Sequence, residues 1–512
     1  MSIGSPNRIN GLFSGMDTGA LVRNMLQYEQ AKVNRQFQLK TSLEWKRDAY
    51  RDINVSLRKF REDFMSVLNP DKNVFTASAY SVYKVNMLSE TNAVSISAGS
   101  NATEGKLTIN KIEQLATKAK VESDSIFREV PLSYEILLSD SDAFNNPLDF
   151  SEGEIKFEIN GEEFTISEDE TLASFINKIN NSKANVKVSY SSLTGRLNFV
   201  STGTGESAKI EIVNISGNAF GGKTGEGEND VDKSFFGIVA DTYTGDNAIV
   251  TIENVQVVRE SNTFTIDGIT YTLKDETNDP VSFNVERDID TTFEKIIGFI
   301  EAYNDLIGTL QGTLEEKINY GYSPLTDDQR AEMTEKEIAL WEDHAKSGLL
   351  RNDANISSLL TKMRSAFFAE VKEFGVSPAE IGLTTGAWYD KGKIVVDETV
   401  LRRALEENPD LVTSVFVNVS SASNIEEKFN NSGLVVRISD AMTEYTKKVT
   451  SASLPSLDRN INEASDRLRA LERMMDEAES KYYRDISRME MALAGRNSQS
   501  SWLAAQMSGL SF

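Results

Sequence analysis

Four stretches of this 512-residue chain carry residue types and spacings that catalysis uses. The single histidine, His344, is the one imidazole around which a Ser-His-Asp triad would have to be built. It lies in Trp341-Glu342-Asp343-His344-Ala345-Lys346, among charged residues on an expected helix, and reads as a surface histidine. Asp17-Thr18-Gly19 imitates an aspartic-protease half-site, a chemistry that needs two carboxylates sharing one proton. Here the triplet leads directly into Leu21, Val22, Met25 and Leu26 at helical spacing, so Asp17 or Thr18 is expected to cap a helix. Residues 217–224, Gly-Asn-Ala-Phe-Gly-Gly-Lys-Thr, fit the phosphate-binding-loop pattern letter by letter. That loop works only when a helix begins at the Lys-Thr and turns its amides toward the phosphates. The continuation Gly225-Glu226-Gly227-Glu228-Asn229-Asp230 opposes a helix and would repel a triphosphate, so an exposed flexible loop is expected. The carboxylates from Asp327-Asp328 to Asp343 have neither acid/base pairing nor calcium-loop spacing, and read as a solvated helix face. With no cysteine in the chain, thiol catalysis, disulfides and cysteine-rich zinc sites are excluded. No catalytic, cofactor or metal site is expected.

The bulk numbers narrow the partners. A formal net charge of −24 opposes nucleic-acid binding, which needs a basic face, and opposes broad docking on anionic membrane. No stretch approaches the roughly 18 apolar residues of a membrane-spanning helix. The N-terminal stretch from Met1 to Gly15 lacks the basic start and continuous apolar core of a secretory signal. Length alone suggests three or four domains.

What would position any functional residue is a change of apolar period along the chain. Leu39, Leu43, Tyr50, Ile53, Leu57, Phe60, Phe64 and Val67 keep a/d spacing, with Lys46 the one polar member, until Pro70. From about Phe75 to Val285 the pattern becomes short β-branched and aromatic runs between Gly, Asn, Asp and Ser. Two segments in it, 157–166 and 264–273, repeat an apolar alternation around Asn160-Gly161 and Asp267-Gly268, the chemistry of tight type I′ hairpins. The first precedes Leu172, Phe175, Ile176 and Ile179, one face of a short helix capped by Thr171. Helical spacing returns at Phe293, Ile296, Ile300, Tyr303, Ile307, Leu310 and Leu314. The clearest heptad run is the last: Leu457, Ile461, Ala464, Leu468, Leu471, Met475, Ala478 and Tyr482. A stutter then moves the seam to Ile486, Met489 and Leu493. A helix from about Ser456 to Leu493 cannot bury such a stripe alone, and the segment Leu21 to Phe37 is the candidate partner; packing on a globular core is the alternative. Beyond it Trp502, Leu503 and Met507 form an apolar tail that either docks on another subunit or folds back on its own helix. The expected fold class is multidomain α+β: coiled-coil terminal segments and a helical domain flanking two nested β-rich domains. The boundaries are 1–40 and 455–512 for the terminal segments, 41–76 with 290–454 for the helical domain, 77–112 with 246–289 for the inner β domain and 113–245 for the outer.

Several motifs in order carry a resemblance. They are Gly11-Leu12-Phe13-Ser14-Gly15-Met16-Asp17-Thr18, Leu43-Glu44-Trp45-Lys46-Arg47-Asp48-Ala49-Tyr50-Arg51 and Asn110-Lys111-Ile112-Glu113-Gln114-Leu115-Ala116. Ala302-Tyr303-Asn304-Asp305-Leu306, Ser347-Gly348-Leu349-Leu350-Arg351-Asn352-Asp353 and Asn497-Ser498-Gln499-Ser500-Ser501-Trp502-Leu503 complete the series. Together they resemble the flagellar hook-associated protein 2 family, the bacterial filament cap proteins; Glu122 to Asp246 carries little of the likeness. The resemblance implies a secreted cap at the filament tip, a ring of five or six copies with outer domains as a plate and terminal helices as legs. It implies partners in flagellin, hook–filament junction proteins and a flagellar export chaperone, export through the flagellum's own channel, and no cofactor, nucleic acid or membrane insertion. The alternative function is a surface adhesin binding host glycan or mucin through the outer β domain.

Overall fold

The computed structural model describes residues 15–129, 135–151, 153–222, 234–386 and 392–508. Residues 81–288 form one compact unit and the flanking chain forms another. The first helix, α1 (Thr18–Phe64), begins where expected, because the Asp17 carboxylate accepts the Ala20 amide at 2.9 Å. It runs unbroken through residue 40. Its inward face carries Tyr50, Ile53, Leu57, Phe60 and Phe64, whereas Leu39 and Val67, expected in the same stripe, are exposed. Val67 lies past the helix end, which comes before Pro70. The side-chain oxygen of Asn73 accepts the Phe75 and Thr76 amides, its Nδ2 donates to the Ser66 carbonyl, and the Val74 amide returns to Phe64. That local hydrogen bonding turns the chain five residues early.

The β unit comes next: β1 (Tyr83–Met87), β2 (Val94–Ala98), β3 (Gly105–Gln114), β4 (Lys120–Glu122), β5 (Ile155–Ile159), β6 (Glu162–Ile166), helix α2 (Leu172–Asn180), β7 (Val186–Ser191), β8 (Arg196–Ser201) and β9 (Lys209–Ser216). Then come β10 (Thr242–Thr244), β11 (Ala248–Ile252), β12 (Val255–Arg259), β13 (Thr263–Ile266), β14 (Ile269–Leu273) and β15 (Val281–Arg287). Two cores result. One lies between the antiparallel sheets β1-β15-β3-β11-β12 and β13-β14-β2, around Ile109, Val250, Tyr271 and Phe283. The other joins β10-β9-β5-β6, β4-β8-β7 and α2 around Phe157, Phe175, Phe199, Phe220 and Phe236. Both expected hairpins form, with φ of 53° and 78° at Asn160-Gly161 and 50° and 77° at Asp267-Gly268. Thr171 caps α2 by accepting the Ser174 amide at 3.1 Å. Of the phosphate-loop look-alike, Lys223 and Thr224 lie outside the described residues. Ala219 and Phe220 are buried in the aromatic core, so this part is not the exposed loop expected: a phenylalanine beside a strand finds burial more favourable than glycine-rich flanks suggest.

The two cores meet at a neck where outgoing and returning chains cross. Thr117 donates its amide to the Asp246 carbonyl, and its hydroxyl accepts the Asp246 amide, each at 2.9 Å. Gly245 fits there because a Cβ would collide with the Thr117 and Gly205 carbonyls.

The chain re-enters the helical unit as α3 (Ile289–Glu315), α4 (Asp327–Ala331), α5 (Glu335–Lys346), α6 (Ala354–Phe368), the ribbon β16 (Leu383–Thr385) and β17 (Ile394–Val396), α7 (Glu398–Glu407), α8 (Pro409–Val417), α9 (Ile425–Asn431), α10 (Leu434–Lys448) and α11 (Leu454–Ser508). The α3 stripe from Phe293 to Leu310 is buried against the lower half of α1. A π-helical turn, Val449–Ser453, joins α10 to α11: the Leu454 amide reaches the Val449 carbonyl, and the wider turn accommodates Pro455. α11 continues past Leu493, where its heptads end, because a solvated helix needs no apolar stripe and tolerates one internal glycine, Gly495. Arg437 of α10 is 2% exposed and has no carboxylate partner among the described residues. Its guanidinium donates instead to the carbonyls of Ala366 in the last turn of α6, of Ala369 and Glu370 just after it, and of Phe429 and Asn430 at the end of α9. Burial pushes its pKa down to about 10. One cation thus satisfies the orphan carbonyls of two helix ends.

Replacing Arg437 with Met will strand those carbonyls and lower the stability of the helical unit by about 3 kcal/mol or more, read from the denaturant midpoint. Gly245→Ala will destabilise the β unit by about 1–3 kcal/mol, whereas Gly298→Ala, whose added methyl meets nothing, will raise helical-unit stability by about 0.5–1 kcal/mol.

Candidate assembly surface on the paired terminal helices

An amphipathic helix of 47 residues must cover its stripe, and α1 does so against α11. The two run antiparallel. Gln36 donates its side-chain amide to the Ala464 carbonyl at 3.2 Å, and Arg47 lies 3.8 Å from Asp458. On α11 Leu457, Ile461, Ala464 and Leu468 are buried, and the small Ala464 lets Gln36 approach the backbone. Leu471, Met475, Ala478 and Tyr482 are only half-buried, and full burial recurs at Ile486. Past the stutter the seam does not follow the expected Met489, which is exposed. The spacing stays at four residues, so Glu490 takes the inward place, before the half-buried Leu493. On α1 the inward residues Val22 and Val33 are buried, but so is the polar Gln36.

At the base of the pair a polar joint holds α1 to the helices beneath it. The Tyr50 hydroxyl donates to Asp353, whose other carboxylate oxygen accepts the Asn355 and Ile356 amides and caps α6. Asn355 reaches Ser453 of the π turn at 3.2 Å. Burial, and then the Asp353 hydrogen bond and charge, raise the Tyr50 pKa; burial and the same carboxylate raise that of Tyr445. Tyr50 and Asp353 belong to two sequence motifs 303 positions apart. Similarly Asn304 brackets Ile394 in β17, accepting its amide at 2.7 Å and donating to its carbonyl at 2.8 Å. Sequence reading missed the Tyr50–Asp353 joint, although Asp353 directly before a helical run was a legible capping signal.

At the far end of α11, Trp502, Leu503 and Met507 are 61%, 53% and 72% exposed. Their own helix does not cover them. Of the residues singled out for possible chemistry, His344 is exposed on α5 with its ring 4.8 Å from that of Tyr322, and Asp17 is spent on its cap. Among the described residues no group of His, Asp or Glu has the arrangement of a metal site, and no helix is long and apolar enough to cross a membrane.

Two family models match the chain: residues 14–119 match the flagellar hook-associated protein 2 N-terminus and residues 245–498 its C-terminus. Residues 120–244, the second β core, fall between them. A flagellar hook-associated protein 2 of Halalkalibacterium halodurans is 30% identical, over 96% of this chain and 98% of its own. That of Escherichia coli K12 is 22% identical over 97% of each. The crystal structure of the D1-D2-D3 domains of the Escherichia coli flagellar cap protein FliD shares the fold, with a TM-score of 0.55 at 20% identity, over 80% of this chain and 99% of that one.

The graded seam predicts graded opening. Amides of residues 457–468 will exchange slowest on α11, and those of 471–482 about tenfold faster or more, by hydrogen-exchange mass spectrometry of the free chain. Uniform protection along the helix would refute the gradient.

Proposed function

The chain belongs to the flagellar hook-associated protein 2 family, and from that premise we propose that it caps the distal tip of a bacterial flagellar filament by packing and confinement rather than catalysis. Copies assemble into a ring of five or six, flagellin is held beneath it while it folds and joins the filament, and subunits are kept from escaping. The paired terminal helices act as legs, and the two β domains contribute the plate. Delivery is through the flagellum's own export channel with a flagellar export chaperone, and hook–filament junction proteins are among the partners.

The observation that carries this reading is the uncovered apolar end of α11. A helix of 55 residues, about 80 Å at ~1.5 Å per residue, ends in exposed Trp502, Leu503 and Met507 in an otherwise acidic chain. Apolar groups at the tip of a thinly sealed pair suit docking between filament or junction subunits. The adhesin alternative gains nothing from the second β core. Its large aromatic residues, including Phe127, Phe144 and Phe235, are buried, and none of its described aromatic side chains is prominently exposed.

Deleting residues 497–512 will abolish filament growth in cells lacking the wild-type chain and release flagellin into the medium, while the purified variant keeps the thermal unfolding of its β unit. Normal filaments from the truncated chain would overturn the docking role.

A further inference from the structure

Two clefts in the helical unit are lined by opposite sides of α1. The larger, of about 790 Å³, has Arg51, Arg58 and Arg61 with one carboxylate, Glu62, on its α1 wall, Thr446 and Thr450 on the other, and Val55, Met65, Phe75 and Leu454 as its apolar lining. The smaller, of about 450 Å³, has Asp48, Asp52, Glu316 and Asp343 against one cation, Lys346. At ~100° per residue, the α1 positions facing the two clefts are centred about 150° apart. One flank of the same helix is therefore basic and the other acidic. Arg61 has no ion pair among the described residues, and Arg51 and Arg58 have only local, exposed ones, with Asp48 and Glu62.

The acidic flank is extended by α5, which buries none of its residues in this chain. Leu340 is 64% exposed and has Glu337 and Asp343 one turn away on the same face, with Lys336 the one cation beside them; the Glu337 carboxylate also closes the α5 capping box by accepting the Thr334 amide and hydroxyl. An exposed leucine between carboxylates is the complement of an apolar lining among arginines. We infer that α5 of one copy docks into the Arg51–Arg58–Arg61 groove of the next, Leu340 against the apolar lining and Glu337 and Asp343 against the guanidiniums. Because the two surfaces lie on opposite flanks of one helix, the contact is heterologous, passing from copy to copy in one direction, and it closes into a ring when the rotation permits. The match of charge sets register and rate of encounter, and the buried leucine slows release.

This interface rests on the proposal that copies assemble, and the experiment separates the two. The full chain is followed by native mass spectrometry and light scattering over a concentration series. The Arg58→Glu/Arg61→Glu variant and the Glu337→Arg/Asp343→Arg variant will each associate about tenfold or more weakly, with unchanged circular dichroism. An equimolar mixture of the two will regain assembly, since each supplies the surface the other needs. In this cysteine-free chain, Val55→Cys with Leu340→Cys will give an oxidised ladder of multimers that neither single substitution gives. Assembly of the wild type that both reversed variants match, with no ladder, overturns the groove alone. A wild type that stays monomeric throughout the series, with no ladder, overturns the ring and the groove together.

Discussion

The antiparallel pairing of α1 with α11 is the constraint on which the architecture turns. Each helix carries a stripe it cannot cover, and the cover lies at the other end of the sequence: Gln36 meets Ala464 across 428 positions. Once first and last helices must meet, everything between them has to leave and come back. The β unit is accordingly an excursion between α1 and α3. Within it the second β core is a further excursion between β3 and β11, entered and left through the neck at Thr117 and Gly245. Each nested core is complete in itself, with its own sheets and aromatic interior, so the neck needs little more than backbone hydrogen bonds and a missing side chain.

The seam is strong near the π turn and thin toward the tail. Leu457 to Leu468 pack as a coiled coil does, whereas Met475, Ala478 and Tyr482 leave room and Gln36 adds a buried amide. Polar seam residues fix register at a cost in stability. The lower half is tied down by other means: Tyr50 on Asp353, Asn355 on Ser453, and Arg437 across the ends of two helices. The chain therefore combines a firm helical base with a helix pair whose sealing weakens as it extends.

Elements governed by local chemistry were legible in the sequence. Asp17 and Thr171 as caps, Asn160-Gly161 and Asp267-Gly268 as turns, and the α3 stripe all follow from one side chain or one period. What escaped was set by tertiary context. The β11–β12 hairpin turns on Glu253-Asn254 at φ of 49° and 66° with no glycine, stabilised by Glu253 accepting the Thr108 amide and by Asn254 pairing with Asn110. Arg437 looks like any helical arginine until two other helix ends converge on it. Leu39 and Met489 fit an apolar period yet face water, because the seam tracks real helix geometry rather than the ideal repeat. The assembly surface was readable only in part. The exposed tail follows from the end of the heptads, but the two oppositely charged flanks of α1 emerge only when α5 and α10 are placed beside it.

The nested neck also sets an order of folding. The second β core draws on one continuous stretch of chain, so its hydrophobic collapse involves no distant segment. The first β core must wait until that insert has been spanned, and the helix pair must wait for both termini. Closing so long a loop adds little entropy beyond a shorter one, since each doubling costs only about 0.6 kcal/mol. The delay is therefore one of delivery rather than of barrier height. In a chain released end-first, from a ribosome or through a narrow channel, whichever of α1 and α11 emerges first keeps the stripe it turns to the other uncovered until its partner follows. The helices that seal the molecule are the last to know it is complete.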